Sequence, residues 1–224
     1  MKALIMAAGY GKRLRPITDH TPKPLIEIAG QTLLERHILA LKSAGVTSMV
    51  INVSWLADTI ASFVGDGSRW GVQIRLSREG DRPLDSGGAM RHAMPLLGPA
   101  PFLVINGDIV CDFPLHTLTE LSPVACHLVL VDNPPHNPEG DFGIHQGHLI
   151  NDAALTYSGI GVYQPALVAA APRPSRFSIV PLIRQAADAG TASAEYHKGR
   201  WLDIGTPERL DHAHALMNDE EESR

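Results

Sequence analysis

The residues best suited to chemistry lie near the start of the chain. Met6-Ala-Ala-Gly-Tyr-Gly-Lys-Arg-Leu-Arg-Pro-Ile-Thr-Asp-His-Thr-Pro-Lys-Pro-Leu25 sets two glycines and four cationic side chains beyond a short apolar segment. Lys2 to Ala7 reads as a strand, and Gly9 and Gly11 then allow bends and close backbone approach that a Cβ resists. Backbone N–H groups in such a turn can cradle oxyanions, with Lys12, Arg13, Arg15 and Lys23 supplying charge. Two familiar phosphate loops do not fit. A Walker A loop needs Ser or Thr after Gly11-Lys12, where Arg13 stands, and a dinucleotide fingerprint needs a third glycine at the position of Leu14. Pro22 and Pro24 disfavour the helical region for the residues before them, so Thr21 and Lys23 are expected to be extended, with Lys23 displayed. For Gly-x-Gly alone, a glycine turn with solvated basic residues accounts for the pattern equally well.

Carboxylates recur at two later points. An apolar strand at 101–105 ends in Asn106-Gly107-Asp108, and Arg200-Trp-Leu-Asp203-Ile-Gly-Thr-Pro207 places another acid just before a helix. Hard oxygen donors of this kind suit Mg²⁺, which uses one or two carboxylates together with substrate phosphates. Asp108 alone reads as an Asx turn, and spacing cannot bring residues this far apart together. Ser86-Gly87-Gly88 opens an amphipathic helix, as a plain loop-to-helix junction also would.

Taken jointly, Gly-x-Gly-x-Arg-x-x-Pro-x-Thr followed by Pro-Lys-Pro-Leu resembles the signature of the sugar-1-phosphate nucleotidyltransferases. Gly9, Gly11, Arg13, Pro16, Thr18, Pro22, Lys23, Pro24 and Leu25 all match. Within that family the whole chain is most similar to the short bacterial uridylyltransferases of cell-wall recycling, which act on N-acetylmuramate α-1-phosphate. The resemblance implies UTP and a sugar 1-phosphate as substrates and Mg²⁺ on Asp108 and Asp203. It implies that Gly9, Gly11, Lys12 and Arg13 hold the β and γ phosphates, and that Lys23 meets the α-phosphate and the attacking phosphate. Gly87 and Gly88 would let the backbone approach uracil, and Asn106 and Asp141 would contact the sugar substrate.

One departure matters. Larger relatives acting on glucose or mannose phosphates carry Glu-Lys-Pro where this chain runs His148-Leu-Ile-Asn-Asp-Ala-Ala154. The missing lysine weakens those substrates and leaves Lys23 to bridge both phosphates. Other pairs within the family (mannose 1-phosphate with GTP, glucose 1-phosphate with dTTP, phosphocholine with CTP) share the motif. A non-catalytic nucleotide-binding regulatory domain would be expected to lose Arg13, Lys23 or the aspartates, which this chain keeps.

The elements that must position these residues alternate strand and helix four times up to Asp108. That pattern predicts one α/β domain with a doubly wound, mostly parallel sheet, and the resemblance implies the Rossmann-like nucleotidyltransferase fold. Residues 1–132 are expected to form mainly the nucleotide-binding half and 133–204 mainly the sugar-binding half, with 205–224 a C-terminal helix and tail. Predicted helices cover 31–44, 54–64 capped by Ser54, 86–97, 179–189 and 207–218, with a frayed tail at 219–224. Predicted strands cover 48–53, 72–77, 101–105 and 125–132, then an antiparallel pair at 142–150 and 155–164 with turns such as Gln146-Gly147.

With 224 residues, 44% hydrophobic and 19% charged, the chain can bury one substantial core. Its net charge of −5 argues against general nucleic-acid binding and makes the basic cluster a local feature suited to a polyanionic small molecule. No apolar run approaches the roughly 20 residues that span a bilayer, and Met1-Lys2 leads directly into a strand. A cytoplasmic monomer or weak oligomer, without membrane or nucleic-acid partners, is the expectation. Cys111 and Cys126 require no disulfide at this size and have no second metal-type pair nearby. His212 and His214 point to different faces of a helix, and His145 and His148, three apart in a strand, are expected to face oppositely, so no zinc spacing stands out. Trp201 reads as core. No short-period C-terminal repeat follows, so a left-handed β-helix and an acetyltransferase function are unsupported.

Overall fold

β1 (Lys2–Met6) leads through three single 3₁₀ turns into the small ladder of β2 (Glu27–Ile28) and β3 (Gln31–Thr32). Then come α1 (Leu33–Ser43), β4 (Ser48–Val53), α2 (Ala57–Val64), β5 (Gln73–Arg78), α3 (Asp85–Leu97), β6 (Phe102–Asn106), β7 (Ile109–Cys111) and β8 (Cys126–Val131). The chain continues through β9 (Phe142–His145), β10 (His148–Tyr163), α4 (Pro165–Ala169), α5 (Val180–Asp188), β11 (Ala192–Tyr196), β12 (Trp201–Asp203) and α6 (Pro207–Glu222). This computed structural model describes residues 1–169 and 176–222.

The main sheet runs β11-β8-β10-β6-β1-β4-β5, with β9 paired to β10. β6, β1, β4 and β5 are parallel, β8 and β11 are parallel, and β10 runs against both β6 and β8. The sheet is thus mostly parallel, as expected, with β10 reversed between β8 and β6. Successive residues of β1 point to opposite faces. Ala3 and Ile5 join a core with Leu34, Ile38 and Leu41 of α1 and Ile60 of α2, whereas Leu4 joins Met90 and Ala93 of α3 and Ile183 of α5. Both faces of the sheet are therefore covered by helices, the condition for near-continuous apolar strands.

Several local expectations are corrected. α2 begins at Ala57 after Leu56 in the left-handed region (φ 50°), and Ser54 caps nothing: its Oγ donates to the Gly80 carbonyl at 2.8 Å. β10 is one long bulged strand from His148, where two strands broken near 151–154 were predicted, with register shifts between Ile150 and Leu155 and between Tyr157 and Ile160. Gln146 and Gly147, at φ 51° and 80°, make the two-residue turn that primed hairpins favour. His145 and His148 therefore stand opposite one another across the hairpin, and directly paired residues share a face; the count by twos along one strand failed because the chain turns between them. α6 continues to Glu222, past the predicted end at Asn218. Among the described residues no helix is long and apolar enough to cross a membrane.

Candidate active site

The phosphate loop is shaped by β1 ending at a parallel neighbour. Ala7 N–H donates to Asn52 Oδ1 at 2.7 Å, and Asn52 Nδ2 donates to Glu79 Oε1 at 2.7 Å. Glu79 Oε2 in turn accepts from Leu84 N–H at 2.7 Å, so this relay pins the loop's first turn to the segment entering α3. Gly11 has φ 62°, and a Cβ there would lie 2.7 Å from Thr18 Cγ2, so its glycine is required by the fold itself. Gly9 differs: its φ is not left-handed and an added Cβ would meet no protein atom within 4 Å. Nothing in the protein demands glycine at 9, and the space beside it is open to a ligand.

Lys23 starts a single 3₁₀ turn, Lys23–Leu25, with Pro22 extended before it. The extended conformation predicted for Lys23 does not hold, because Pro24 can occupy the first positions of a short helical turn. Nor is its ammonium displayed to solvent: Nζ bonds Asp108 Oδ2 at 2.5 Å, with the lysine side chain only 12% exposed.

β7 and β12 bring the two distant acids together. Asp203 pairs with Ile109 in their antiparallel ladder, and Ile204 N–H donates to the Asp108 carbonyl at 2.7 Å. Both oxygens of Asp203 accept from Arg209 Nη1, at 2.6 and 2.5 Å, and Oδ1 lies 3.2 Å from His136 Nε2. Each acid thus carries a cationic partner. Two hard oxygen donors at adjoining strand ends, beside a basic loop, fit an ion such as Mg²⁺ that shares its coordination shell with phosphates.

These groups line two neighbouring cavities. One, of about 320 Å³, gathers Gly9, Gly11, Lys12, Arg13, Lys23, Asn106 and Asp108. The other, of about 690 Å³, has Arg13, Asp203, His136, Trp201 and Arg209 among its walls, so Arg13 faces both. Asn106 packs against Gly159, whose φ of 86° and lack of a Cβ leave room for its amide. Trp201 is a cavity wall as well as a core residue, held by Nε1–H donating to the Ser158 carbonyl at 2.8 Å.

Gly87, Gly88 and Asp141 line neither cavity. A Cβ on Gly87 would overlap the Phe177 ring, and Gly88 N–H donates to the Phe177 carbonyl at 3.0 Å, so this glycine pair lets the segment before α5 cross α3. Asp141 Oδ2 accepts from Tyr157 N–H at 2.9 Å beside the bulge of β10. Sequence reasoning passed over Asn52, Glu79, His136 and Arg209. Asn52 carried a signal, as the one polar residue inside the apolar run of β4; His136 and Arg209 carried none, since only the fold places them near Asp203.

Behind Asp108, His37 is 5% exposed with Nε2 unpartnered, and burial pushes its pKa down to about 4, partly opposed by the Asp108 carboxylate. Cys111, Asp112 and His197 do converge, with one ligand atom of each within 4.8 Å, a grouping that spacing concealed. His197 Nε2 sits 2.7 Å from Asp112 Oδ1, and burial pushes the Cys111 thiol up to about 11, leaving it protonated at neutral pH.

Comparison with known proteins agrees with this geometry. Residues 2–148 match the Nucleotidyl transferase family. The chain is 42% identical over 226 residues to an N-acetylmuramate alpha-1-phosphate uridylyltransferase of Neisseria meningitidis serogroup B, covering 96% of this chain and 98% of that one. It is 40% identical over 121 residues to a mannose-1-phosphate guanyltransferase of Gibberella zeae, a match covering 53% of this chain and 33% of that one. In structure it superposes with a TM-score of 0.86 on a Bacillus anthracis protein assigned as a glucose-1-phosphate thymidylyltransferase, at 22% identity and with 98% and 96% of the two chains covered. The chain belongs to the sugar-1-phosphate nucleotidyltransferases and is an enzyme of that family.

Proposed function

We propose that the enzyme transfers a uridylyl group from UTP to N-acetylmuramate α-1-phosphate, giving UDP-N-acetylmuramate and pyrophosphate in a Mg²⁺-dependent reaction of cytoplasmic peptidoglycan recycling. The observation that carries this reading is the end-to-end similarity to the uridylyltransferase, across the phosphate cleft and the larger cavity alike. Guanyltransferases that match over 92% of this chain do so at 28% and 31% identity, against 42% for the uridylyltransferase.

In the proposed reaction a phosphate oxygen of the sugar 1-phosphate attacks the α-phosphorus of UTP in line, and the bond to the bridging oxygen of the leaving pyrophosphate breaks. The open space at Gly9 lets the backbone approach the triphosphate, and Lys12 and Arg13 bind its β and γ phosphates. Lys23 orients the α-phosphate against the attacking phosphate and opposes the charge that gathers between them. Such transfers depend on positioning and electrostatic stabilisation, which need no covalent intermediate. Asp108 and Asp203 would hold Mg²⁺, which supplies charge neutralisation at the crowded oxygens when bound. Gly87 and Gly88 remain the proposed neighbours of uracil, and Asn106 and Asp141 those of the sugar substrate.

The test is pyrophosphate release from a matrix of nucleoside triphosphates and sugar 1-phosphates, with and without Mg²⁺. Turnover confined to UTP with N-acetylmuramate 1-phosphate is expected. A preference for mannose 1-phosphate with GTP, or for glucose 1-phosphate with dTTP, would replace this assignment.

A further inference from the structure

Arg13 and Arg209 are the permanent cations of the larger cavity. They converge: a Cβ added to Gly205 would overlap Nη2 of Arg209 and come within 3.1 Å of Nη2 of Arg13. Two guanidinium groups flanking one point repel each other unless an anion lies between or beside them. In this structure that anion is Asp203, whose two oxygens both accept from Arg209 Nη1, while His136 Nε2 accepts from the same nitrogen at 2.8 Å. Arg209 is thus held as a carboxylate-binding residue, fixed on the first turn of α6 with its side chain only 20% exposed.

The carboxylate it holds is needed elsewhere. An oxygen-seeking divalent ion on Asp203 competes with the guanidinium for the same lone pairs, and Arg209 then needs another anion, the cavity's other carboxylates, Asp132 and Glu208, being exposed. N-acetylmuramate differs from N-acetylglucosamine by a lactyl ether ending in a carboxylate. An acceptor sugar whose phosphate sat at Lys23 would have beside it the adjoining cavity that Arg209 lines, the two cavities sharing Arg13.

We propose that Arg209 recognises the lactyl carboxylate of the acceptor sugar by the same chemistry with which it holds the carboxylate of Asp203. The inference rests on the muramate reading above. A guanidinium can pair with a substrate carboxylate through two nitrogens, which a lysine cannot do; towards Asp203 it uses Nη1 alone.

The test compares kcat/KM for N-acetylmuramate 1-phosphate and N-acetylglucosamine 1-phosphate with UTP, in the wild-type enzyme, Arg209→Met and Arg209→Lys, with Mn²⁺ affinity measured by electron paramagnetic resonance without substrate. The wild type should prefer the muramate. Arg209→Met should lose on the order of 10²-fold on the muramate alone, and Arg209→Lys should recover part of it. Mn²⁺ should bind Arg209→Met more tightly, because the competing guanidinium is gone. An equal fall on both sugars, or unchanged Mn²⁺ affinity, overturns the assignment of Arg209. A wild-type enzyme that ignores both sugars and uses another overturns the muramate reading itself, whatever the variants do.

Discussion

Replacing Lys23 by methionine separates the structural share of its ion pair from the catalytic one. Lys23 and Asp108 are 2.5 Å apart, with side-chain exposures of 12% and 36%. Exposed pairs contribute about 0–1 kcal/mol, whereas removing one partner of a buried pair costs about 3–5 kcal/mol. Asp108 keeps enough contact with water to solvate its orphaned charge, which places the stability loss near 2 kcal/mol. A domain stable by about 5–15 kcal/mol survives that loss. The catalytic effect is larger, since losing one charged contact to the transition state costs on the order of 10²–10³ in kcat. Lys23→Met should therefore unfold at a modestly lower urea midpoint, retain its near-ultraviolet circular dichroism and release pyrophosphate at no more than about 1% of the wild-type rate. Lys23→Arg, which keeps the charge but changes its shape, should fall between. A folded Lys23→Met enzyme with kcat within about five-fold of wild type would refute the assignment, for it would mean that Lys23 serves only to neutralise Asp108.

The two glycines of the loop should separate in the same way. Gly11→Ala forces a left-handed residue against Thr18 and should cost about 1–3 kcal/mol in denaturant unfolding, whereas Gly9→Ala should unfold as wild type yet raise the KM for UTP. His37 gives a pH dependence with a definite sign: its lowered pKa means that the unfolded chain takes up a proton the native fold refuses. Stability from this site is intact above about pH 6.5 and falls by up to about 3 kcal/mol towards pH 4, so urea midpoints of His37→Gln should show a shallower acid slope than wild type. Leu210→Ala and Leu97→Ala truncate similarly buried leucines and should each cost about 2–4 kcal/mol, but only Leu210→Ala should lower kcat when both are assayed well below their unfolding temperatures.

The strands were readable because their signals are local. β4 occupies the predicted 48–53, and the order of strands and helices through β6 follows the local pattern except for the β2–β3 ladder, which the pattern did not predict. Expectations failed where a non-local partner decided the outcome. Ser54 had the composition of a cap, but its hydroxyl is committed to Gly80, beyond the end of β5. The bulges of β10 answer to β8, β9 and β6, none of which is visible in its own sequence. In the site, Gly9, Gly11, Lys12, Arg13, Lys23, Asn106 and Asp108 share one cavity because the loop and the end of β6 flank the same strand. Gly87 is a proposed nucleotide contact that also makes room for Phe177, and a motif does not separate the packing reason for a glycine from the binding one.

What sequence could not supply was the means by which Asp203 reaches Asp108, and that means is backbone. The β7–β12 ladder sets the two acids side by side, while a small core of Leu14, Ile26, Ile28, Leu33, Ile204, Leu210 and Ala213 fastens α6 against the phosphate loop and the β2–β3 ladder. Leu14 follows Arg13 and Ile204 follows Asp203, so the packing that holds α6 also fixes two residues that line the larger cavity. Arg209 lies one residue before Leu210 on the same helical turn. A shift of α6 therefore moves Asp203, its guanidinium partner and the cavity wall together while leaving the parallel half of the sheet intact. The charges at this site are mutually compensated, Lys23 by Asp108 and Arg209 by Asp203. An arriving anion that takes Lys23 or Arg209 as its partner leaves Asp108 or Asp203 without its cation, so the exchange is favourable only where another cation takes over the freed carboxylate.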